Sequence, residues 1–264
     1  MAWVEGRTVV VTGGSSGIGK GVAFAVAAAG GRVVIAGRTR SRVDEAVEQI
    51  RQSGGEGLGV ATDVGDPEAV ERLMDAAVQT YGGLDGLVTA AGFGTVQPLL
   101  EQPIEEIDEM VRTDLLGTAY AIRSAAARMA RGSQIVTVAS AVAGSPLATM
   151  PLYGAVKSAV VVLSESIRDE LAARGIRLSC LLPGGVATHF QDSWGESELS
   201  AIGMGEGETP RPHWAFEDGS GEGAAGGGDG PDMRRVMRSR DMAPSVLFAF
   251  DLPERSRGAT LEVL

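Results

Sequence analysis

Short runs of apolar residues alternate along this chain with longer stretches whose apolar positions recur at helical spacing. Thr8-Val9-Val10-Val11 is a β-branched run, and beyond a group of glycines Val22 to Ala29 is rich in helix formers. Arg32 to Ala36 then reads as a strand, and Val43 to Gln52 as a helix with Val43, Val47 and Ile50 on one face. Leu58 to Thr62 is a further strand. Asp66-Pro67-Glu68 opens the next helix, the aspartate suiting an N-cap and the proline the first turn. Leu84 to Ala90, Gln134 to Ala139 and Ile176 to Leu182 read as later strands, each preceded by a helical segment. Ala243 to Phe250 and Ala259 to Leu264 supply a last helix and strand. Strands that are apolar throughout, rather than at alternate positions, are covered on both faces. With right-handed crossovers the pattern predicts an α/β fold: one doubly wound Rossmann domain over residues 1–264, with a mostly parallel seven-stranded sheet.

One segment breaks this rhythm. Residues 192–232 hold many glycines, Gly226-Gly227-Gly228 among them, and little periodicity. Low hydrophobicity with high charge does not repay the entropy of ordering, so a flexible, acidic, lid-like insertion is expected there, or dispensable disorder. The net charge of −11 is concentrated between Gly195 and Gly230, where Glu196, Glu198, Glu206, Glu208, Glu217, Asp218, Glu222 and Asp229 stand against Arg211 alone. Such a balance argues against a nucleic-acid surface. No apolar stretch approaches the ~18 residues of a membrane span. Met1 to Gly6 lacks the basic and apolar regions of a secretion signal. The one cysteine, Cys180, sits in an apolar run as buried filler and offers neither a disulfide nor a metal cluster, which fits a reducing, cytoplasmic setting.

The first candidate site is Thr12-Gly13-Gly14-Ser15-Ser16-Gly17-Ile18-Gly19, between a strand and a helix. Glycines there let backbone approach a pyrophosphate, and the helix N-terminus adds N–H donors with partial positive charge. A glycine turn alone is a weak signal; the strand–turn–helix context makes dinucleotide binding the better reading than a plain connection. The second strand ends in Gly37-Arg38-Thr39, about twenty residues further on, where an NAD site places an acid for the ribose 2′-hydroxyl. Here there is no acid. Arg38, with Arg40 and Arg42 nearby, favours a 2′-phosphate and hence NADP(H), the alternative being a solvated basic helix start.

Tyr153 and Lys157 stand four apart at the start of a helical stretch and so share a face. A free phenol titrates near 10, too high for proton transfer at neutrality, and an ammonium close by pulls that value down. Most Tyr-x-x-x-Lys pairs are surface decoration. This one follows a strand ending in Ser140, at the edge of the sheet where ligands bind in such folds.

These features together resemble the short-chain dehydrogenase/reductase family over nearly the whole chain. Thr12-Gly13-x-x-x-Gly17-x-Gly19 is similar to its cofactor turn, and Ser140, Tyr153 and Lys157 to its catalytic set. Asp63-Val64 resembles the pair that contacts adenine, and Pro183-Gly184-x-Val186-x-Thr188 the stretch around the nicotinamide. The cofactor set implied is Gly13, Ser15, Ser16, Gly17, Ile18, Gly19, Arg38, Thr39, Asp63, Val64, Ala90, Ala91, Gly92, Tyr153, Lys157, Pro183, Gly184, Val186 and Thr188. The resemblance implies that Tyr153 exchanges a proton with the substrate oxygen, that Ser140 orients it, and that Lys157 holds the nicotinamide ribose. It also implies a homodimer or homotetramer.

Two positions depart from the family pattern. Thr89-Ala90-Ala91-Gly92 stands where Asn-Asn-Ala-Gly is usual, and Asp114 stands where an asparagine helps to place a water beside the lysine. An aspartate still accepts hydrogen bonds but brings a charge that pairs with Lys157, and Asp114 is counted with the catalytic residues. The expected activity is an NADPH-dependent oxidoreductase interconverting a ketone or aldehyde and an alcohol on a small organic molecule, in specialised metabolism on a weak compositional hint. The alternatives are a catalytically impaired NADP-binding partner or sensor, and an epimerase with internal redox. His189 reads as a structural histidine at the lip of the site, and His213 has no partner for zinc. Trp194, Trp214 and Phe216 are candidates for an apolar lid contact.

Overall fold

Among the described residues, nine strands and eight α-helices are laid down in the order that strand–helix alternation demands. The computed structural model describes residues 3–144, 147–184, 186–187, 237–238, 242–252 and 258–263. The strands are β1 (Thr8–Thr12), β2 (Arg32–Gly37), β3 (Glu56–Ala61), β4 (Gly86–Thr89), β5 (Gln134–Val138), β6 (Arg177–Pro183), β7 (Val186–Ala187), β8 (Met237–Arg238) and β9 (Thr260–Val263). The helices are α1 (Gly17–Ala28), α2 (Arg40–Gln52), α3 (Pro67–Tyr81), α4 (Ile104–Met110), α5 (Gly117–Ala126), α6 (Pro151–Ser166), α7 (Arg168–Ala173) and α8 (Ala243–Phe250).

Seven strands form one parallel sheet in the order β3-β2-β1-β4-β5-β6-β9, and β7 pairs with β8 separately. The order reverses between β1 and β4, and that reversal opens a crevice at their carboxyl ends. All five residues of β1 are buried. Val9 and Val11 pack on one face with α1, α2 and α8, through Val22, Val47 and Val246, while Val10 packs on the other with Leu73 and Met74 of α3 and Ile122 of α5. β1 therefore buries both faces, which is why its run is apolar without alternation.

Helix ends follow local chemistry. Asp66 caps α3 by accepting the Glu68 N–H at 2.9 Å, Pro67 takes the first turn, and Gly82 ends the helix at φ +80. Helix α2 starts at Arg40 rather than at Val43, because its first turn is charged and carries no apolar position to mark it. Between α4 and α5 the helix widens into a π turn over Val111–Leu116. At the other end of the molecule Trp3 stacks on Phe250 with ring centres 4.9 Å apart, and its N–H donates to Asp251 Oδ1 at 2.7 Å.

Candidate active site

The crevice is lined on one side by the turn from β1 into α1. Gly13 has φ +68, and a Cβ there would meet the Ala90 carbonyl oxygen at 2.7 Å; one on Gly19 would meet the Gly13 carbonyl at 2.4 Å. Backbone packs against backbone at both points, leaving room for glycine alone. Ser16, the N-cap of α1, makes no side-chain cap bond, and the first turn carries no acid, so the positive end of the helix is not neutralised from within. The Ala90 N–H donates to the Thr12 carbonyl at 3.2 Å, which ties β4 to the turn. This cradle fits the pyrophosphate of a dinucleotide.

At the far end of the crevice Arg38 does not project freely. Its guanidinium pairs with Glu109 of α4, and Arg40 pairs with Asp44 one turn along α2 at 2.8 Å. Beside Arg38 lies a cavity of about 240 Å³ lined by Asp63, Glu105, Asp108, Glu109, Arg112 and Thr113. Asp63 accepts the Gly65 N–H at 2.9 Å, and Val64 is buried against Gly117. Glu109 carries no signal in the sequence, since its partner is 71 positions away.

The third group lies where β5, the π turn and α6 converge. Ser140 caps the short 3₁₀ turn Ala141–Ala143 after β5. Tyr153 and Lys157 lie one turn apart on α6, and the Lys157 ammonium is 5.6 Å from the centre of the Tyr153 ring. The Ser140 hydroxyl hydrogen-bonds the phenol. Ser158 ties the same helix to the 3₁₀ turn by donating to the Ala143 carbonyl at 3.0 Å. Asp114, in the π turn, is fully buried and lies 3.0 Å from Lys157 Nζ through Oδ2. Its Oδ1 accepts the Phe93 N–H at 3.1 Å. Gly92 must be glycine here, because a Cβ would stand 2.5 Å from Asp114 Oδ2.

Charge balance in this cluster differs from the simple picture of a lysine lowering a phenol. Burial raises the Tyr153 pKa; Lys157 pulls it down, but Asp114 pushes it up again, and the net direction is upward. For Lys157, burial works against the ammonium, yet Asp114 and Tyr153 outweigh it and carry the lysine above its ordinary value. Burial also raises the Asp114 carboxyl, against the pull of Lys157 and the Phe93 N–H. The phenol is thus a proton holder, and the lysine a fixed cation.

Ser140, Tyr153, Lys157 and Asp114 come together at the carboxyl edge of the sheet, and the glycine turn, Ala90, Ala91 and Gly92 border the same crevice. Pro183 ends β6, with the Gly184 N–H donating to the Val263 carbonyl at 2.8 Å. Val186 is placed by its backbone in β7. Thr188, His189, Trp194, His213, Trp214 and Phe216, with the whole 192–232 insertion, lie outside the described residues.

A parallel doubly wound sheet with a glycine cradle at its switch point and a Ser–Tyr–Lys cluster beside it defines a nucleotide-binding oxidoreductase class. The profile of the short chain dehydrogenase family matches residues 7–199, and the chain belongs to that family. It is 33% identical to tropinone reductase-like 3 of Erythroxylum coca over 71% of this chain and 73% of that one. An uncharacterized oxidoreductase of Staphylococcus aureus N315 is 30% identical over 76% of this chain and 87% of its own length. Among solved structures, a dehydrogenase/reductase from Sinorhizobium meliloti 1021 superposes with a TM-score of 0.81 at 27% identity, covering 98% of this chain and 94% of that one. A short-chain dehydrogenase from Burkholderia cenocepacia J2315, solved in complex with NADP, gives 0.81 at 24% identity, covering 98% and 97%.

Proposed function

We propose that this chain is an NADP(H)-dependent reductase or dehydrogenase that interconverts a carbonyl and an alcohol on a small organic substrate. The observation that carries the reading is the Ser140–Tyr153–Lys157–Asp114 cluster beside the glycine cradle. Gly13, Ser15, Ser16, Gly17, Ile18 and Gly19 would hold the pyrophosphate, Asp63, Val64, Ala90, Ala91 and Gly92 the adenosine, and Arg38 with Thr39 the 2′-phosphate. Lys157, Pro183, Gly184, Val186 and Thr188 would border the nicotinamide ribose and ring. When bound, the nicotinamide supplies or accepts the hydride.

In the reducing direction Tyr153 donates its proton to the carbonyl oxygen as negative charge builds there. Ser140 Oγ donates a hydrogen bond to the same oxygen, fixing its position. The Lys157 ammonium stabilises the phenolate left behind, and Asp114 positions Lys157. Because burial and Asp114 raise the Tyr153 pKa, the phenol is protonated throughout the neutral range, and the acid form is ready for reduction. The oxidising direction needs the phenolate, so its kcat/KM rises toward alkaline pH. Asp114→Asn removes a charge that raises the phenol, and the alkaline limb of that profile should move to lower pH. An unmoved limb would show that Asp114 does not act on Tyr153.

Incubation with NADPH and a panel of ketones and aldehydes tests the reading. Stoichiometric oxidation of NADPH with alcohol formed supports it. Cofactor binding without turnover would instead favour an impaired partner or sensor, and substrate conversion without net oxidation an epimerase. The basis for NADP over NAD is Arg38 together with Gly37, where an added Cβ would meet Ser15 Oγ at 2.6 Å and crowd out an acid. Arg38→Asp should reverse the preference toward NAD, read as the ratio of the two Kd values. Self-association into a dimer or tetramer is part of the same proposal. Leu99 and Leu100 before α4, Ile104 at its start and Val162 on α6 are exposed apolar side chains that a second copy would cover. A cytoplasmic setting is proposed with it. Among the described residues no helix is long and apolar enough to cross a membrane.

A further inference from the structure

We infer that Glu109 is a cofactor-specificity residue: by pairing with Arg38 it competes with the 2′-phosphate and makes the preference for NADP(H) shallower than Arg38 alone would set. The inference rests on the proposed reading of the crevice as a dinucleotide site with Arg38 at its ribose end.

The argument begins with the company Arg38 keeps. Its guanidinium is bound to the Glu109 carboxylate, with 59% and 48% of the two side chains exposed. An exposed pair of this kind is weak and exchanges readily with a better anion. A phosphate monoester is such an anion, since it carries close to two charges at neutral pH and matches the guanidinium fork. To take the whole guanidinium, however, it must displace Glu109 from Nη1, and otherwise it lies beside that carboxylate on the same side chain. The rest of the cavity compounds the effect: Asp63, Glu105 and Asp108 line it as well, against Arg112 as the second cation. A ribose 2′-hydroxyl meets no such opposition. It is uncharged, and it can donate a hydrogen bond to a carboxylate while the Arg38–Glu109 pair stays formed.

Glu109 is therefore placed to act against one cofactor and not the other. It sits on α4, on the opposite wall of the crevice from the β2–α2 connection that bears Arg38. Sequence rules that inspect only the end of the second strand do not see it. The effect depends on charge at a partly exposed position, so salt should screen it, whereas a packing role for Glu109 would be indifferent to salt.

The test is equilibrium binding of NADP+ and NAD+, by calorimetry, to the full chain and to its Glu109→Gln, Arg38→Ala and doubly substituted variants. Glu109→Gln should tighten NADP+ binding about three- to tenfold at low salt. NAD+ affinity should hold or fall slightly. The gain should shrink at high salt and vanish when Arg38 is also removed. If Glu109→Gln leaves the ratio of the two Kd values unchanged while Arg38→Ala lowers NADP+ affinity, the inference about Glu109 is overturned and the Arg38 reading survives. If Arg38→Ala has no effect on NADP+, both fall. Glu109→Lys supplies an independent arm, with a larger expected gain for NADP+ and the same salt dependence.

Discussion

Replacing Tyr153 by phenylalanine is expected to lower kcat by about 10²- to 10⁴-fold, the contribution of a well-placed proton donor. The substitution removes one oxygen. It keeps the ring that Lys157 faces and leaves the α6 backbone, the Ser158–Ala143 tie and the glycine cradle in place. Affinity for NADP(H) should therefore stay close to that of the unaltered chain, and the loss should appear in single-turnover rates rather than in KM. Full activity in this variant would take the proton-transfer role away from Tyr153. Loss of cofactor binding would show instead that the phenol is part of the ribose contact alone.

The second large effect is on stability. Lys157→Met should destabilise the fold by about 3–5 kcal/mol, because it leaves a wholly buried Asp114 carboxylate without its countercharge. The pH dependence gives the mechanism a signature. With the lysine gone, burial alone holds the Asp114 pKa above its unfolded value, so the folded state prefers the protonated acid. Stability is then lost as pH rises through that raised pKa, and is regained as pH falls toward the ordinary aspartate value of about 3.9. Thermal melts across pH should show a deficit at neutrality that narrows in acid, and Lys157→Met combined with Asp114→Leu should recover most of it. A deficit independent of pH would mean that lost packing of the lysine stem, not the stranded charge, sets the cost.

Much of this molecule is legible in the chain because its local and tertiary preferences agree. The β1 run Thr8-Val9-Val10-Val11 is apolar on both faces and is buried on both, and Asp66-Pro67 opens α3 with the bond the cap predicts. The last helix, Ala243 to Phe250, has the bounds its apolar spacing suggests. Ser140, Tyr153 and Lys157 come together because they stand on elements whose order brings them to one edge of the sheet. What escaped was whatever depends on partners distant in sequence. The π turn that seats Asp114 has no compositional mark, since Val111 to Leu116 reads as ordinary helix. The Arg38–Glu109 pair joins two elements that only the folded sheet brings face to face. The tuning of Tyr153 went the opposite way from expectation for the same reason. Spacing along α6 shows the lysine and hides the degree of burial and the carboxylate approaching from another helix.

The stacking of Trp3 on Phe250 and the bond from its amide to Asp251 also bear on how the chain is made. Val4 shares an apolar layer with Val246, Ala249 and Phe250, so Trp3, Val4 and one side of α1, β5 and β6 are covered by a helix that stands far downstream in the chain. During synthesis α1 emerges with that side bare, as do β5 and β6 after it, and they stay so until α8 has followed. A nascent chain halted before Ala243 would present an open apolar face to chaperones and proteases, and only the arrival of α8 shuts it.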